Sequence, residues 1–386
     1  MIEISQLAST IQPSGIRKFF DLVVGMKDVI SLGVGEPDFD TPWNVCESAI
    51  HSIEQGFTSY TSNKGLKELR VAISHHLRHE HKIEYDPESE MLITVGVSEA
   101  FDLAIRAIIN PGDEVIIPEP SFVAYGPVVT LAGGTPVFIK TEAANGYKLS
   151  PEMIGKACTK KTKAILINYP ANPTGTSYTK RELEQLNNAL KKHDLTVITD
   201  EVYCALSYDM PHTPWPALNG AKSKCIYLNG FSKAYAMTGW RVGYAAAPSE
   251  VIDAMTKIHQ YTMMCVSTMG QIAALEAIQN GQKAVQLMVD EYKRRRQFVI
   301  TSLNEMGFEC NMPEGAFYAF PSIKASGMDS AEFANYLLQE EKVAVVPGTA
   351  FGPSGEGYIR ISYASSMENL KEAMLRMGKV LKKTKK

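Results

Sequence analysis

Seven short, β-rich runs recur along the first two thirds of the chain, and helical stretches separate several of them. Most of these runs are continuously apolar, which is typical of strands that helices cover on both faces. The runs are MLITVG (91–96), EVIIP (114–118), TPVFI (135–139), KAILIN (163–168), TVITD (196–200), KCIYLN (224–229) and VGYAAA (242–247). They predict an α/β fold with a seven-stranded, mainly parallel sheet.

Helical periodicity fills several of the gaps between these runs. Residues 179–194 have the spacing of an amphipathic helix, and Thr179 followed by Glu182 predicts a capping box at its start. Residues 98–109 predict another helix, which ends at an Asn-Pro-Gly turn. This alternation of strands and helices indicates a large α/β domain.

The pattern changes near residue 281. A long charged helix at 291–306 is followed by the strand-like segment GAFYAFPSI (315–323), a helix at 330–341 and the segment RISYA. This mixture predicts a second, smaller α+β domain. The predicted parts are 1–43 as an N-terminal arm and part of the small domain, 44–281 as the large domain and 282–386 as the C-terminal small domain.

The composition excludes several classes of protein. Thirty-nine Lys and Arg against 42 Asp and Glu give a formal net charge of −3, which provides no electrostatic footprint for nucleic acid or for a membrane surface. Two uncharged stretches of near-membrane length, 122–139 and 258–275, are interrupted by Gly and Pro or by polar side chains. We therefore expect neither a nucleic-acid partner nor a membrane span.

The six cysteines predict a reducing compartment. They are widely spaced and form no C-x-x-C pair, unlike a disulfide scaffold or a zinc ribbon. The N-terminal segment has no basic stretch leading into an apolar one, as a secretory signal requires. We therefore expect a cytoplasmic protein.

Three local patterns resemble known functional motifs, but none of them has the complete set of residues that its motif requires. The histidines at 75, 76, 79 and 81 lack the order H-E-x-x-H and a further ligand at helical spacing, so we expect no metal. Gly33-x-Gly35 lacks the third glycine of a dinucleotide fingerprint. Gly96-Val-Ser98-Glu-Ala resembles a nucleophile elbow but ends in Ala. A helix N-terminus with a serine at that junction better fits an anion such as phosphate.

Two charged residues follow neighbouring predicted strands. Asp200 ends an apolar strand, where open α/β sheets bind ligands, and a partly buried carboxylate there needs a cationic or proton-bearing partner. Lys233 follows the next strand among Phe, Ala and Tyr, and Arg241 comes eight residues later. A lysine in such surroundings can lose its proton and attack a carbonyl group. The alternative for the same pattern is an ordinary surface lysine.

Four motifs in this order resemble the signature of class I aminotransferases, pyridoxal 5′-phosphate (PLP) enzymes of fold type I. They are Asn172-Pro-Thr-Gly, Asp200-x-x-Tyr203, Ser232-Lys233-Ala-Tyr-Ala-Met-Thr-Gly-Trp-Arg241-Val-Gly and Arg360-Ile-Ser. The similarity spans almost the whole chain, from Ser31 to Arg360. Within the class, the sequence is most similar to the bacterial and archaeal branch that contains aspartate, aromatic and acetyl-diaminopimelate aminotransferases.

The resemblance implies a role for each residue around the cofactor ring. Lys233 is expected to hold PLP covalently and to move the proton at the substrate Cα, and Asp200 to keep the pyridine nitrogen protonated. Asn172 and Tyr203 are expected to donate to the 3′ oxygen of the ring. Phe122 matches the position whose ring stacks on the cofactor. Lys233, Asp200 and Tyr203 are thus the expected catalytic residues.

The same resemblance implies how the phosphate is held. Ser232, Arg241 and the backbone of Val97 and Ser98 are expected to bind it, joined by Tyr60 from a second subunit. A site completed in this way is shared between two copies of the chain. The resemblance therefore predicts a homodimer with shared active sites.

The substrates are expected to be small molecules, namely an amino acid and a 2-oxo acid. Arg360 matches the residue that grips the α-carboxylate in a bidentate pair. Asn172 and the Gly35 backbone are expected to contact the same carboxylate. This clamp selects α-amino and 2-oxo acids as a class without selecting a side chain.

The distal part of the substrate pocket leaves the side-chain preference open. Relatives specific for aspartate can use a lysine beside the phosphate turn, where this chain has Ser98, or an arginine from the partner subunit, where residues 261–268 read YTMMCVST. Ile16 is expected to face the same region, so the pocket favours aromatic donors over a carboxylate without a partner. Arg17 or water is the candidate partner for an acidic substrate, and aspartate stays open as a donor.

The predicted function is transfer of an amino group between an L-α-amino acid, aromatic or aspartate, and 2-oxoglutarate by a ping-pong mechanism. Three alternatives remain: an acetyl-diaminopimelate aminotransferase, a PLP-dependent cysteine-conjugate β-lyase and a non-catalytic PLP-binding regulator. A lyase would use the same lysine and aspartate for β-elimination. The presence of Lys233 disfavours the regulator.

Overall fold

The computed structural model describes residues 2–16 and 26–384 of the protein, with side chains described up to Val380. The strands in these residues form three sheets. They are β1 Ile30–Ser31, β2 Met91–Thr94, β3 Glu114–Glu119, β4 Thr135–Lys140, β5 Thr162–Asn168, β6 Thr196–Asp200, β7 Cys225–Gly230, β8 Gly243–Ala246, β9 Tyr318–Ala319, β10 Val343–Ala344, β11 Val346–Pro347 and β12 Ile359–Ser362.

Strands β2 to β8 form one seven-stranded sheet in the order β2-β8-β7-β6-β5-β3-β4. Strand β8 is antiparallel to both of its neighbours, and all other neighbouring strands are parallel. Each of the seven apolar runs forms one of these strands. The predicted α/β fold with a mainly parallel sheet is therefore confirmed.

The helices of the described residues alternate with these strands through the middle of the chain. They are α1 Gln6–Thr10, α2 Trp43–Glu54, α3 Lys67–His81, α4 Gly96–Ile108, α5 Tyr125–Leu131, α6 Pro151–Ala157, α7 Lys180–Lys191, α8 Ser249–Thr262, α9 Thr268–Asn280, α10 Gln282–Met306, α11 Ser330–Glu340 and α12 Met367–Thr384. The predicted capping box forms between Thr179 and Glu182 at the start of α7. Within the described parts of the chain, no helix is both long enough and apolar enough to cross a bilayer.

The continuous apolar runs are explained by burial of the sheet on both faces. Successive side chains of a strand point to opposite faces, so in β5 Ile165 and Ile167 pack on one side, and Ala164 and Leu166 on the other. Helices α3, α7 and α9 cover the first face, and α4, α5 and α8 cover the second. Polar side chains are therefore concentrated at the ends of the strands.

The two smaller sheets pack on a second hydrophobic core. Strand β1 pairs in parallel with β10, and β12 pairs antiparallel with β11 and β9. Helices α10, α11 and α12 contribute most of the other buried side chains of this core. The segment GAFYAFPSI forms a strand only at Tyr318–Ala319, because Pro321 has no N–H to continue the ladder. The N-terminal β1 thus belongs with the smaller sheets, while the domain boundaries themselves stay predictions.

Replacing Thr179 by Ala tests the capping box of α7. The hydroxyl of Thr179 accepts from the Glu182 N–H, and the Glu182 carboxylate accepts from the Thr179 N–H at 2.7 Å. We expect the free energy of opening of the α7 amides, measured by hydrogen exchange, to fall by about 1 kcal/mol. Thr301→Ala, at an exposed position inside α10, is the control, and an equal loss in the two variants would contradict the capping role.

Candidate active site

A cavity of about 890 Å³ opens at the edge of the large sheet where the parallel strands end. Twelve of the predicted site residues line it. They are Ile16, Gly35, Val97, Ser98, Phe122, Asn172, Asp200, Tyr203, Ser232, Lys233, Arg241 and Arg360. Tyr60 does not line the cavity of its own chain, and its surface is 81% exposed.

Lys233 lies in the turn after β7 and projects into this cavity. Its Nζ atom donates to the Gly35 carbonyl oxygen at 2.6 Å and lies 5.9 Å from the ring centres of Tyr203 and Phe317. The pKa of the Lys233 amine is lowered to about 8, mainly by burial; Glu36 opposes this shift, and Arg360 contributes to it. The amine is therefore available in its neutral, nucleophilic form near neutral pH.

Asp200 is the last residue of β6 and is buried. The Tyr125 hydroxyl donates to its Oδ2 atom at 2.8 Å, and the Val202 N–H donates to Oδ1 at 3.2 Å. Burial raises the pKa of Asp200 to about 6, although both hydrogen bonds act in the opposite direction. A carboxyl group held in this way is suited to a ligand N–H that carries positive charge.

Two glycines bring the start of helix α4 close to Arg241. Gly96 has a φ of +72°, and a Cβ on it would lie 2.7 Å from the Arg241 Nη2 atom. A Cβ on Gly243 would lie 2.7 Å from the Val97 backbone nitrogen. The first N–H groups of a helix have no partner inside it, so those of Val97 and Ser98 are available at the cavity wall beside a guanidinium. This arrangement suits an anion such as a phosphate group.

Arg360, in β12, places a buried cation on the opposite side of the cavity. Its guanidinium donates to Asn172 Oδ1 at 2.9 Å and to the Gly33 carbonyl oxygen at 2.5 Å. The Cζ atom lies 4.5 Å from the Tyr318 ring centre and 4.9 Å from that of Phe351. Its Nε atom is buried and has no hydrogen-bond partner among the described residues. A rigid cation with an unused donor is suited to a carboxylate.

The distal wall of the cavity is mainly apolar. Ile16 packs against a cluster that contains Phe320 and Phe351. Among the described residues that line the cavity, the only cations are the lysine and the two arginines already described. Met263 and Met264 lie on the surface, 52% and 46% exposed, and do not line the cavity of their own chain. Arg17, the candidate partner for an acidic substrate, lies outside the described residues.

Three further residues of the cavity have contacts that the motifs did not assign. Tyr125 holds the Asp200 carboxyl group, and Asn168 Nδ2 donates to the Asp200 carbonyl oxygen at 2.8 Å. The Tyr318 and Tyr203 hydroxyls lie 2.8 Å apart. Asn168 ends the predicted strand 163–168 and Tyr125 follows the candidate Phe122 by three residues, and these positions were the available signal; Tyr318 lies inside the segment 315–323, which carried no candidate.

Known proteins are similar to this chain over nearly its whole length. Residues 27–377 match the family model described as aminotransferase class I and II. A relative from Pyrococcus abyssi named aspartate aminotransferase is 49% identical and covers 97% of both chains. A relative from Thermococcus litoralis named aromatic-amino-acid aminotransferase 2 is 44% identical and covers 99% of both. The solved structure of an aromatic aminotransferase from Pyrococcus horikoshii has a TM-score of 0.91 at 46% identity and covers 96% of this chain and 99% of its own.

The lowered pKa of Lys233 predicts how fast the cofactor-free protein captures PLP at different pH values. Since the neutral amine predominates above about pH 8, the rate should rise as the pH approaches 8 and level off above it. Nα-acetyllysine, with a pKa of about 10.4, is the control and should still accelerate at pH 10. The measurement is borohydride trapping followed by peptide mass spectrometry. An adduct on another lysine, or no plateau, would contradict the assignment.

Proposed function

The chain belongs to the class I and II aminotransferases, and we propose that it moves an amino group between an L-α-amino acid, aromatic or aspartate, and 2-oxoglutarate by a ping-pong mechanism. One observation carries the proposal: the Lys233 amine, the buried Asp200 carboxyl group and the buried Arg360 guanidinium line one cavity. The relatives named for aspartate and for aromatic amino acids support these two kinds of donor.

The enzyme depends on PLP, and the cavity fits this cofactor. A volume of about 890 Å³ lies within the range of roughly 300–1,000 Å³ found for small-molecule sites. Gly96 lets the Arg241 guanidinium lie against the start of α4, which suits the phosphate, and the buried Asp200 matches a protonated ring nitrogen. When bound, PLP supplies an electron sink for the negative charge that develops at the substrate Cα.

Lys233 would hold the cofactor covalently and then move the proton of the substrate Cα. Its pKa of about 8 suits both roles, because a general base works best when its pKa is near the working pH. The Gly35 carbonyl oxygen, 2.6 Å from Nζ, orients the amine in the cavity. One side chain can thus act first as a nucleophile and then as a base.

Asp200 would hold a proton on the pyridine nitrogen. The Tyr125 hydroxyl and the Val202 N–H fix the carboxyl group at the end of β6, so Asp200 would need little reorganisation to hold that proton. Asn172 and Tyr203 would donate to the 3′ oxygen of the ring, while the half-buried Phe122 ring would stack on its face. Together these contacts orient the ring.

The phosphate would lie at the start of α4. The phosphate would be bound there by the backbone N–H groups of Val97 and Ser98, the Ser232 hydroxyl and the Arg241 guanidinium, all from residues that line the cavity. A helix N-terminus and a guanidinium both favour a dianion. Phosphate binding would therefore anchor the cofactor independently of Lys233.

Arg360 would bind the α-carboxylate of the substrate. Asn172 Oδ1 and the Gly33 carbonyl oxygen hold its fork in one orientation. A pre-oriented guanidinium loses little conformational entropy when a carboxylate binds. The rigid clamp would place the substrate Cα within reach of Lys233, and the backbone of Gly35 would complete the contact.

The donor preference tests the apolar distal wall. We expect phenylalanine to be an efficient donor with 2-oxoglutarate, measured as kcat/KM for formation of the 2-oxo acid and glutamate. An aspartate value more than about a hundredfold above that of phenylalanine, roughly 2.7 kcal/mol, would overturn this expectation. Release of pyruvate and ammonia from a cysteine conjugate, without an aminated acceptor, would instead support the lyase. N-acetyl-LL-2,6-diaminopimelate as the one efficient donor would support the third alternative.

A matched pair of variants sharpens this test. Ile16→Lys adds a cation to the distal wall and should raise the aspartate-to-phenylalanine ratio of kcat/KM at least tenfold, about 1.4 kcal/mol. Val71→Lys adds the same charge at a position on α3 that is 45% exposed, outside the cavity, and should leave the ratio unchanged.

The dimer is proposed from large apolar side chains that are exposed in the single chain. Trp43, Phe57, Tyr60 and Tyr261 are 70%, 56%, 81% and 87% exposed. Large apolar side chains of this kind are usually covered by a partner when they lie together. A second copy of the chain would cover them and bring its Tyr60 hydroxyl to the phosphate.

Tyr60→Phe tests this shared site. Loss of one hydrogen bond to a charged phosphate should weaken cofactor retention by about 1–2 kcal/mol, measured as the PLP dissociation constant. Tyr336→Phe, on α11 away from the cavity, is the control and should retain PLP like the unmodified protein. Full activity in a monomer at high dilution would contradict a shared site.

A cytoplasmic location is part of the proposal. All six cysteines are free. Free thiols persist in a reducing compartment, which supports this location.

A further inference from the structure

A buried carboxylate lies beside the start of α4, where the phosphate is proposed to bind, and has no role in the proposed mechanism. Glu99 is in the first turn of α4, and its Oε2 atom accepts from the Val95 N–H at 2.5 Å. Its Oε1 atom accepts from His259 Nδ1 at 2.7 Å. The two side chains are 9% and 0% exposed. The pair joins α4 to α8 across 160 residues of sequence.

The geometry indicates that His259 holds the Glu99 carboxyl group in place. Both carboxylate oxygens accept from N–H donors at short distances, which is typical of charge-assisted hydrogen bonds. Among the described residues, His259 is the side chain that pairs with Glu99. A carboxylate buried without such a partner is strongly destabilising.

The position of this carboxylate matters because the same helix start would bind phosphate. The first N–H groups of α4 attract any nearby anion, including a carboxylate of their own helix. Glu99 is one residue beyond Ser98, whose N–H lies at the cavity wall. If it were released from His259, the Glu99 carboxylate would repel a phosphate dianion, or it would accept hydrogen bonds from the N–H groups that would otherwise bind the phosphate.

We propose that His259 is a positioning residue for the cofactor phosphate. Its Nδ1 atom holds the Glu99 carboxylate on the Val95 N–H, which leaves the N–H groups of Val97 and Ser98 free. The inference rests on the proposed phosphate site and assigns a role to a residue that would not itself contact the phosphate. It predicts that removing His259 weakens PLP binding only while Glu99 carries a charge.

His259 also fixes the segment that the proposed dimer needs. Its backbone carbonyl oxygen accepts from the Met263 and Met264 N–H groups at 2.8 and 3.0 Å, which ends α8. The Met264 carbonyl oxygen in turn accepts from Asn63 Nδ2 at 2.7 Å, three residues from Tyr60. One residue thus links the cradle of its own chain to the segments proposed to reach the partner's phosphate.

The test is a cycle of three variants: His259→Phe, Glu99→Gln and both together. The readout is the PLP dissociation constant of the cofactor-free protein, measured by absorbance titration and therefore independent of turnover. His259→Phe should weaken PLP binding at least tenfold. The double variant should bind within about threefold of the unmodified protein, because a neutral Gln cannot compete as an anion. Glu99→Gln alone should bind at least as tightly as the unmodified protein.

A merely structural role gives a different pattern. In that case the double variant binds no more tightly than His259→Phe, and the inference is overturned. A tenfold loss in Glu99→Gln overturns it as well, even if His259→Phe does not fold. Arg106→Gln, which breaks the Arg106–Asp102 pair (2.9 Å) at the far end of α4, is the matched control and should not change PLP binding.

Failure of the proposed function is distinguishable from failure of this inference. If borohydride traps no PLP on Lys233 of the unmodified protein, the phosphate site itself is wrong. If the adduct forms on Lys233 and His259→Phe retains PLP like the unmodified protein, only the positioning role of His259 is wrong.

Discussion

Because helices cover both faces of the seven-stranded sheet, the side chains of its strands are mostly apolar along their length. Charged groups can then occur only where a strand ends. Asp200 ends β6, Lys233 follows β7, and the cradle at the start of α4 follows β2, all at the same edge of the sheet. The packing of helices on both faces therefore stabilises the fold and also confines the polar groups to the strand ends, where they line the cavity.

Burial acts on these groups in opposite directions. It lowers the pKa of Lys233 to about 8 and raises that of Asp200 to about 6, so both pKa values are moved toward neutral pH. The raised pKa means that Asp200 contributes less to folding stability as the pH rises from about 4 to about 6, a loss of roughly 2–3 kcal/mol. A cationic ring N–H bound beside Asp200, as proposed for the cofactor, would offset this cost.

The sequence alone was enough to locate the strands and the residues at their ends, because a strand and the residues that follow it are close together in the sequence. The apolar runs located all seven strands, and the motifs around Asp200, Lys233 and Arg360 located three sides of one cavity. Contacts between distant residues left no local signal. The His259–Glu99 pair spans 160 residues, and Tyr60 has no role within a single chain. The length of the strand at Tyr318–Ala319 was overestimated, because an apolar run does not show where the hydrogen bonding between strands stops.

Arg360 connects the two hydrophobic cores. It belongs to β12 of a small sheet, yet its guanidinium binds Asn172 Oδ1, beyond the end of β5 in the large sheet. Gly33, whose carbonyl oxygen is the other acceptor, follows β1, which pairs with β10. The cation that would bind the α-carboxylate is therefore held by both parts of the molecule at once. In the proposed function, substrate selection by class would depend on this junction, whereas the side-chain preference would depend on the apolar distal wall around Ile16.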